Sequence, residues 1–256
     1  MGDIHFPFED PAALSLARQI YNDAKPHVTI LNGDILDFFG ISKYPVPPVR
    51  RVMFGNEIKE GAAKLKELRK WGKGHWIYIE GNHEHRLRLY LYRRAPELAG
   101  IISVPDLIGC DKLDMRYLAH CDTPVSREEF SAPQVKLGKL YVFHGDTVKL
   151  WGNTVNVARS LFLSLLNPAL IGHLHRCDSY LQTDYEGVAN GAWVTACLAH
   201  PRPHYDTGRV WGQGCAVVTI QDGYFEVDNI SFISKDKRLF ALWRGHRYEV
   251  PLNGKG

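Results

Sequence analysis

Four short apolar runs in this chain each break off into a string of Asp, Asn, Gly and His. Val28–Leu31 runs into Asn32-Gly33-Asp34, Trp76–Ile79 into Glu80-Gly81-Asn82-His83, Leu140–Phe143 into His144-Gly145-Asp146, and Ala169–Ile171 into Gly172-His173-Leu174-His175. Short β-branched, leucine and aromatic runs that stop at turn-forming residues read as buried strands. Helical patterns lie between them. Asp10 can cap a helix and Pro11 suits its first position, with Leu16, Ala17, Ile20, Tyr21 and Ala24 at helical spacing before Pro26. Ile58, Ala62, Leu65 and Leu68 mark a second helix with Glu60 and Lys64 as an i,i+4 pair, and Glu84–Arg94 a third. Strands alternating with helices predict an α/β sheet, whose ligand site lies beyond the carboxyl ends of the strands. A fifth string, Asp3-Ile4-His5, opens the chain. The five strings should therefore meet in space.

The rest of the chain is less explicit. Pro45, Pro47 and Pro48 make residues 40–56 a loop or cap, and a helix is expected from Asp146 to about Leu166. Residues 100–135 carry no clear pattern. From Tyr180 the chain turns β-rich, with an Asp222-Gly223 turn between Ala216–Ile220 and Phe225–Val227. Residues 234–256, with Trp243, Arg244 and His246, read as a charged aromatic tail. Without a repeat or a linker, residues 1–256 are expected to form a single domain.

Composition excludes several classes. At 45% hydrophobic and 23% charged residues the chain is neither disordered nor fibrous. Its most apolar stretch, Val157–Leu166, is interrupted by Arg159 and Ser160 and is too short to span a membrane. Met1-Gly2-Asp3 opens no secretion signal. Cys110, Cys121, Cys177, Cys197 and Cys215 are odd in number and never form Cys-x-x-Cys, as expected of reduced thiols in a cytoplasmic protein. The 12 histidines are the unusual count.

Taken singly, the strings say little. Gly-Asp ends strands in most α/β proteins, Asn82 after Gly81 is ordinary turn chemistry, and a lone His144 is more often a satisfied buried histidine than a ligand. His173-x-His175 is stronger, since two imidazoles two residues apart can face one centre. Together they offer only oxygen and imidazole donors, a set suited to Mn, Fe or Zn as a hydrolytic Lewis acid and unlike the Cys/His tetrads of structural zinc.

The blocks Asp3-x-His5, Gly33-Asp34-x-x-Asp37, Gly81-Asn82-His83-Glu84, His144-Gly145 and Gly172-His173-x-His175, in that order over two thirds of the chain, resemble the calcineurin-like metallophosphoesterases. The resemblance implies a β-sandwich of two sheets flanked by helices, with two divalent cations at the sheet edge. By residue, it implies Asp3, His5, Asp34 and His175 on one cation and Asp34, Asn82, His144 and His173 on the other, Asp34 bridging. Manganese is the first expectation, with iron, zinc or nickel as alternatives. A hydroxide held between the ions would attack phosphorus. His83 matches the family's general acid and Asp37 the carboxylate that fixes its tautomer.

Two departures matter. In the family an apolar central strand precedes Asp-x-His, whereas here only Met1 and Gly2 do, so the first strand is expected to be missing or truncated and Asp3 and His5 to ride on an unanchored end. The Ser/Thr protein phosphatases place an arginine directly after the second aspartate of the second block, where this chain has Phe38. The run Gly81-Asn82-His83-Glu84-His85-Arg86-Leu87-Arg88 looks instead like phage-encoded members, with Arg86 as candidate phosphate contact.

The net charge of +3 hides an asymmetry: Arg50–Arg94 holds 12 Lys and Arg against 5 Asp and Glu. A basic segment beside a phosphoester site could follow a nucleic-acid backbone, with Tyr44, Trp71 and Tyr90 stacking on bases. The same pattern fits a merely solvated helix face. The expected activity is phosphodiester hydrolysis, of nucleic acid or a small diester. The alternatives are a phosphomonoesterase built on the same site and a non-catalytic metal-binding scaffold.

Overall fold

The computed structural model describes residues 1–43, 45, 48–49, 53–121, 132–149, 155–183, 185–202 and 210–252. Helix α1 (Pro11–Ala24) starts where Asp10 caps the Ala12 and Ala13 amides, and it leads into strand β1 (Val28–Asn32). Helix α2 (Phe54–Arg69), strand β2 (His75–Ile79), helices α3 (Asn82–Arg94) and α4 (Val104–Ile108) and strand β3 (Met115–Leu118) follow. Then come β4 (Gln134–Leu137), β5 (Leu140–Phe143), α5 (Val157–Leu165), β6 (Ala169–Ile171), β7 (Asp178–Thr183) and β8 (Ala189–Val194). The chain closes with the hairpin β9 (Gly214–Gln221) and β10 (Tyr224–Ser231) and a ribbon of β11 (Ile233–Lys235), β12 (Arg238–Trp243) and β13 (His246–Pro251).

Side-chain alternation builds the layers. β1, β2 and β3 form a parallel sheet, while a second, mixed sheet runs in the order β4-β5-β6-β8-β7. Ile30, Ile77 and Ile79 of the first sheet and Ala216 and Val218 of β9 face Leu140, Val142, Leu170 and Trp193 of the second. The alternate residues of β1 and β2, Leu31, Trp76 and Tyr78, point the other way and pack with α1, α2 and α3. Phe143, Ala169, Ile171 and Val194 cover the outer face of the second sheet against α5. The architecture is a two-sheet sandwich between helical layers.

The structure changes several expectations. The last helix begins at Val157, a turn and more after Asp146, residues 150–154 lying outside the described residues. The stretch from Ser234 is no loose tail. Leu239, Ala241 and Val250 join the core beside Leu16 and Ile20, and Tyr248 donates to Asp23 at 2.7 Å. Of the proposed cap loop, residues 44, 46–47 and 50–52, Tyr44 included, lie outside the described residues. Trp71 is half-buried, packed against the core with its ring 5.7 Å from that of Tyr21.

Among the described residues no strand precedes Asp3, and β1 and β9 each pair with another strand on one side only, with a groove of about 500 Å³ between them. Yet the opening segment is anchored. Asn32 donates to the Met1 carbonyl at 2.7 Å, Asp3 to Gly33 at 3.0 Å, His5 to Asp34 at 3.0 Å and Leu198 to Asp3 at 3.1 Å. Asp3 and His5 are fully buried. No helix among the described residues is long and apolar enough to cross a membrane, and all five cysteines are free thiols.

Candidate metal centre

All five polar strings converge at one edge of the sandwich. Asp3, His5, Asp34 and His175 form one group, and Asp34, His144 and His173 another; within each, one donor atom per residue lies within 4.8 Å of all the others. Asp34 is common to both. A third such group is His5, Asp37 and His83.

In the first group the Nε2 atoms of His5 and His175 face each other at 3.2 Å, and His175 Nε2 is 3.2 Å from Asp3 Oδ1. Trp211 packs its ring 3.8 Å from that of His175 and 5.6 Å from that of His5. In the second group His144 Nδ1 donates to the Asn32 carbonyl at 2.9 Å, which leaves the Nε2 lone pair facing inward. There it meets Asp34 Oδ2 and the Asn82 amide oxygen, each at 3.2 Å. Three acceptors at such distances repel unless a cation or a proton sits among them. Burial alone would lower the His144 pKa, but the Asp34 charge holds it well above the ordinary imidazole value. Buried Asp34 Oδ2 and His173 Nδ1 have no hydrogen-bond partner. Burial keeps His5 and His173 below the usual imidazole pKa, so both are neutral donors. Burial would raise Asp3 and Asp34, but the neighbouring imidazoles hold both below the usual carboxylate range. Orphaned acceptors, neutral imidazoles and ionised carboxylates fit a pair of divalent cations.

The frame explains the glycines in the motifs. A Cβ on Gly33, itself at φ +77°, would collide with the His144 ring, and one on Gly172 with the Asp3 carboxylate. Glu84, fully buried on α3, accepts from the amides of Asp34, Ile35, Leu36 and Gly81 at 2.8–3.0 Å and from the Tyr78 hydroxyl at 2.7 Å. It thereby ties the turn after β1 to the turn after β2.

His83 sits at the rim, its ring 4.5 Å from that of His5. Its Nδ1 donates to the Asp37 backbone carbonyl at 2.7 Å, while the Asp37 carboxylate lies 3.6 Å away and pairs with His5 Nδ1 at 3.3 Å. Arg86 donates to His83 Nε2 at 2.7 Å and to the Asp37 carbonyl at 3.1 Å. Burial would lower the His83 pKa, but Asp34 and Asp37 raise it. Trp211, the anchoring role of Glu84 and a charged cluster around His120 escape sequence reasoning. Each depends on which elements pack together, and no motif spacing signals it.

A sandwich of two sheets with an oxygen-and-imidazole centre at its edge defines a metal-dependent hydrolase. Residues 1–216 match the calcineurin-like phosphoesterase family, and the chain belongs to it. That family hydrolyses phosphoesters and typically uses two divalent metal ions. No curated protein matches the chain. Among solved structures, the Vps29 single mutant D62A from Entamoeba histolytica is similar at 12% identity and a TM-score of 0.34, over 88% of this chain and 99% of that one.

Proposed function

We propose that this protein is a phosphodiesterase that acts on a nucleic-acid strand, with Asp3, His5, Asp34 and His175 holding one cation and Asp34, Asn82, His144 and His173 the other. The observation that carries the two-cation reading is that Asp34 belongs to both donor groups. The cations, when bound, activate water and neutralise charge on the phosphate oxygens; manganese suits these donors, as do iron, zinc and nickel. The chain's own residues do the rest. Asp34 screens the repulsion between the two charges. His83, raised toward its protonated form and kept in one orientation by Asp37, delivers a proton to the leaving oxygen. For that step Arg86 must leave His83 Nε2, and the phosphate oxygens are its natural new partners.

The diester and nucleic-acid preference draws support from α3. It starts at Asn82 and His83 and extends over 13 residues, about 20 Å, with Arg93 and Arg94 exposed at its far end and Tyr90 exposed between. A strand whose phosphate lies in the centre could follow this helix. The test is turnover of bis-p-nitrophenyl phosphate, p-nitrophenyl phosphate and single- and double-stranded DNA after metal reconstitution. Preference for the monoester would sink the diesterase reading. Turnover untouched by EDTA would sink the metal centre.

A further inference from the structure

Outside the centre, a heavily bonded polar cluster links the two sheets on the Asn82 side. Glu80, buried just after β2, accepts from Arg88 at 2.8 and 3.0 Å, from the Tyr117 hydroxyl at 3.1 Å and from His120 Nδ1 at 3.0 Å. The His120 backbone amide donates to the same carboxylate at 2.6 Å, and Arg88 returns a bond to the His120 carbonyl at 2.7 Å. His120 follows β3 of the first sheet. Its other nitrogen, Nε2, lies 3.4 Å from Asp146 Oδ2 on the turn after β5 of the second sheet. The His85 ring stacks on it at 4.8 Å, nearly parallel. One imidazole thus spans two carboxylates, Glu80 and Asp146, which lie two residues from Asn82 and two residues from His144 respectively.

We infer that His120 is a positioning residue, an imidazolium staple that ties the turn carrying Asn82 to the turn carrying His144 and keeps the second cation's donors in register. The inference rests on the proposed function in taking Asn82 and His144 as ligands of one cation. It goes beyond that function in assigning the closure of that half of the centre to a residue that touches neither ligand. The ring is cationic at neutral pH: burial alone would lower its pKa, but Asp146 and Glu80 hold it at about 9. Removing the staple leaves Glu80 paired with Arg88 but frees the Asp146 turn. The cost should therefore fall on one cation.

The experiment is a manganese titration of the full chain by calorimetry and by electron paramagnetic resonance, which separates coupled from isolated ions, on wild type, His120→Ala, His120→Lys and Asp146→Asn. His120→Ala should weaken one of two ions by about 10- to 100-fold, the scale of losing an outer partner of a ligand, and leave the other unchanged. Lysine keeps the charge and can donate to both carboxylates, so it should restore much of the affinity. Asp146→Asn, at a half-buried position, should reproduce the loss without threatening the fold. Adding it to His120→Ala should cost little more. Two ions bound by either single variant with wild-type affinity, or equal weakening of both, would overturn the staple while leaving the metal centre standing. A wild type that binds fewer than two ions would overturn both.

Discussion

Replacing Glu84 with glutamine exchanges one of two fully used oxygens for an amide nitrogen. Oε1 accepts from Ile35 N, Leu36 N and the Tyr78 hydroxyl, and Oε2 from Asp34 N and Gly81 N. If the glutamine carbonyl takes the Oε1 position, two backbone donors face an NH₂ group with no water to turn to. A buried donor left without its acceptor costs about 1–3 kcal/mol, so Glu84→Gln should cost about 2–6 kcal/mol. Glu84→Ala strands all five donors, at least about 5 kcal/mol, on the scale of the whole stability of a domain. Equilibrium urea unfolding in EDTA reads this directly. With an m-value of about 2 kcal/mol/M, the glutamine midpoint should fall by roughly 1–3 M at unchanged m. Because the lost bonds lie at the Asp34 and Gly81 turns, cation affinity should drop in the same variant. A Glu84→Gln midpoint within about 0.2 M of wild type would refute the reasoning, since it would mean that the amides do not depend on that carboxylate.

Other perturbations test other parts of the site. His120 has a folded pKa of about 9 against an ordinary 6.5, so its contribution is complete below pH 6.5 and is lost as pH rises through 9. Unfolding in EDTA should show stability falling by on the order of 3 kcal/mol across that window relative to His120→Gln, and parallel curves would exclude it. Asp34→Asn should release both cations together, and two ions retained on titration would remove its bridging role. His83→Ala should keep both ions and lose roughly 10²–10⁴-fold in turnover; an unchanged rate takes His83 out of the reaction. His173 has φ +65°, so His173→Gly should be more stable than His173→Ala by about 1 kcal/mol, the reverse of the usual order. Calorimetry without metal decides it.

The strand ends were legible because each strand is buried on both faces and its sequence stops being apolar where the sheet stops. Leu31 and Tyr78 serve the helical layer while Ile30 and Ile77 serve the other sheet, so nearly every position in the runs is apolar and the first polar string marks the edge. That is why Asp34, His144 and His173 could be brought together on paper. The C-terminal ribbon was hidden by its surface. Arg238, Leu242, Arg244 and Arg247 face solvent, and the turns at Asp236–Lys237 and Arg244–Gly245 place three non-glycine residues at positive φ. Arg244-Gly245 was the available hairpin signal between Trp243 and His246. His120 was illegible for a different reason. It lies in the stretch with no pattern, and its partners Glu80 and Asp146 belong to different sheets, so only the packing of one sheet on the other gives it a role.

The same packing explains why the motifs carry the chemistry. Asp3, His5, Asp34, His173 and His175 all have left-handed backbone, with φ between 50° and 65°, a conformation that costs a non-glycine residue about 1–2 kcal/mol. A left-handed residue at a strand end turns the chain at once, so its side chain projects off the sheet edge before the next loop departs. Five such residues hold only if neighbouring blocks secure them, and the bonds run between blocks. The Asp3 carboxylate takes the His173 amide at 3.1 Å, the Asn32 carbonyl orients His144, and Glu84 holds the Asp34 amide. Asp3, His144 and Asp34 are thus each held by a group of a different block. That fit leaves no space for a side chain on Gly33 or Gly172, and so the candidate donors come in Gly-Asp and Gly-His pairs. Strain and converging acceptors both oppose the metal-free fold, and cation binding offsets both, so metal affinity and stability in this protein should rise and fall together.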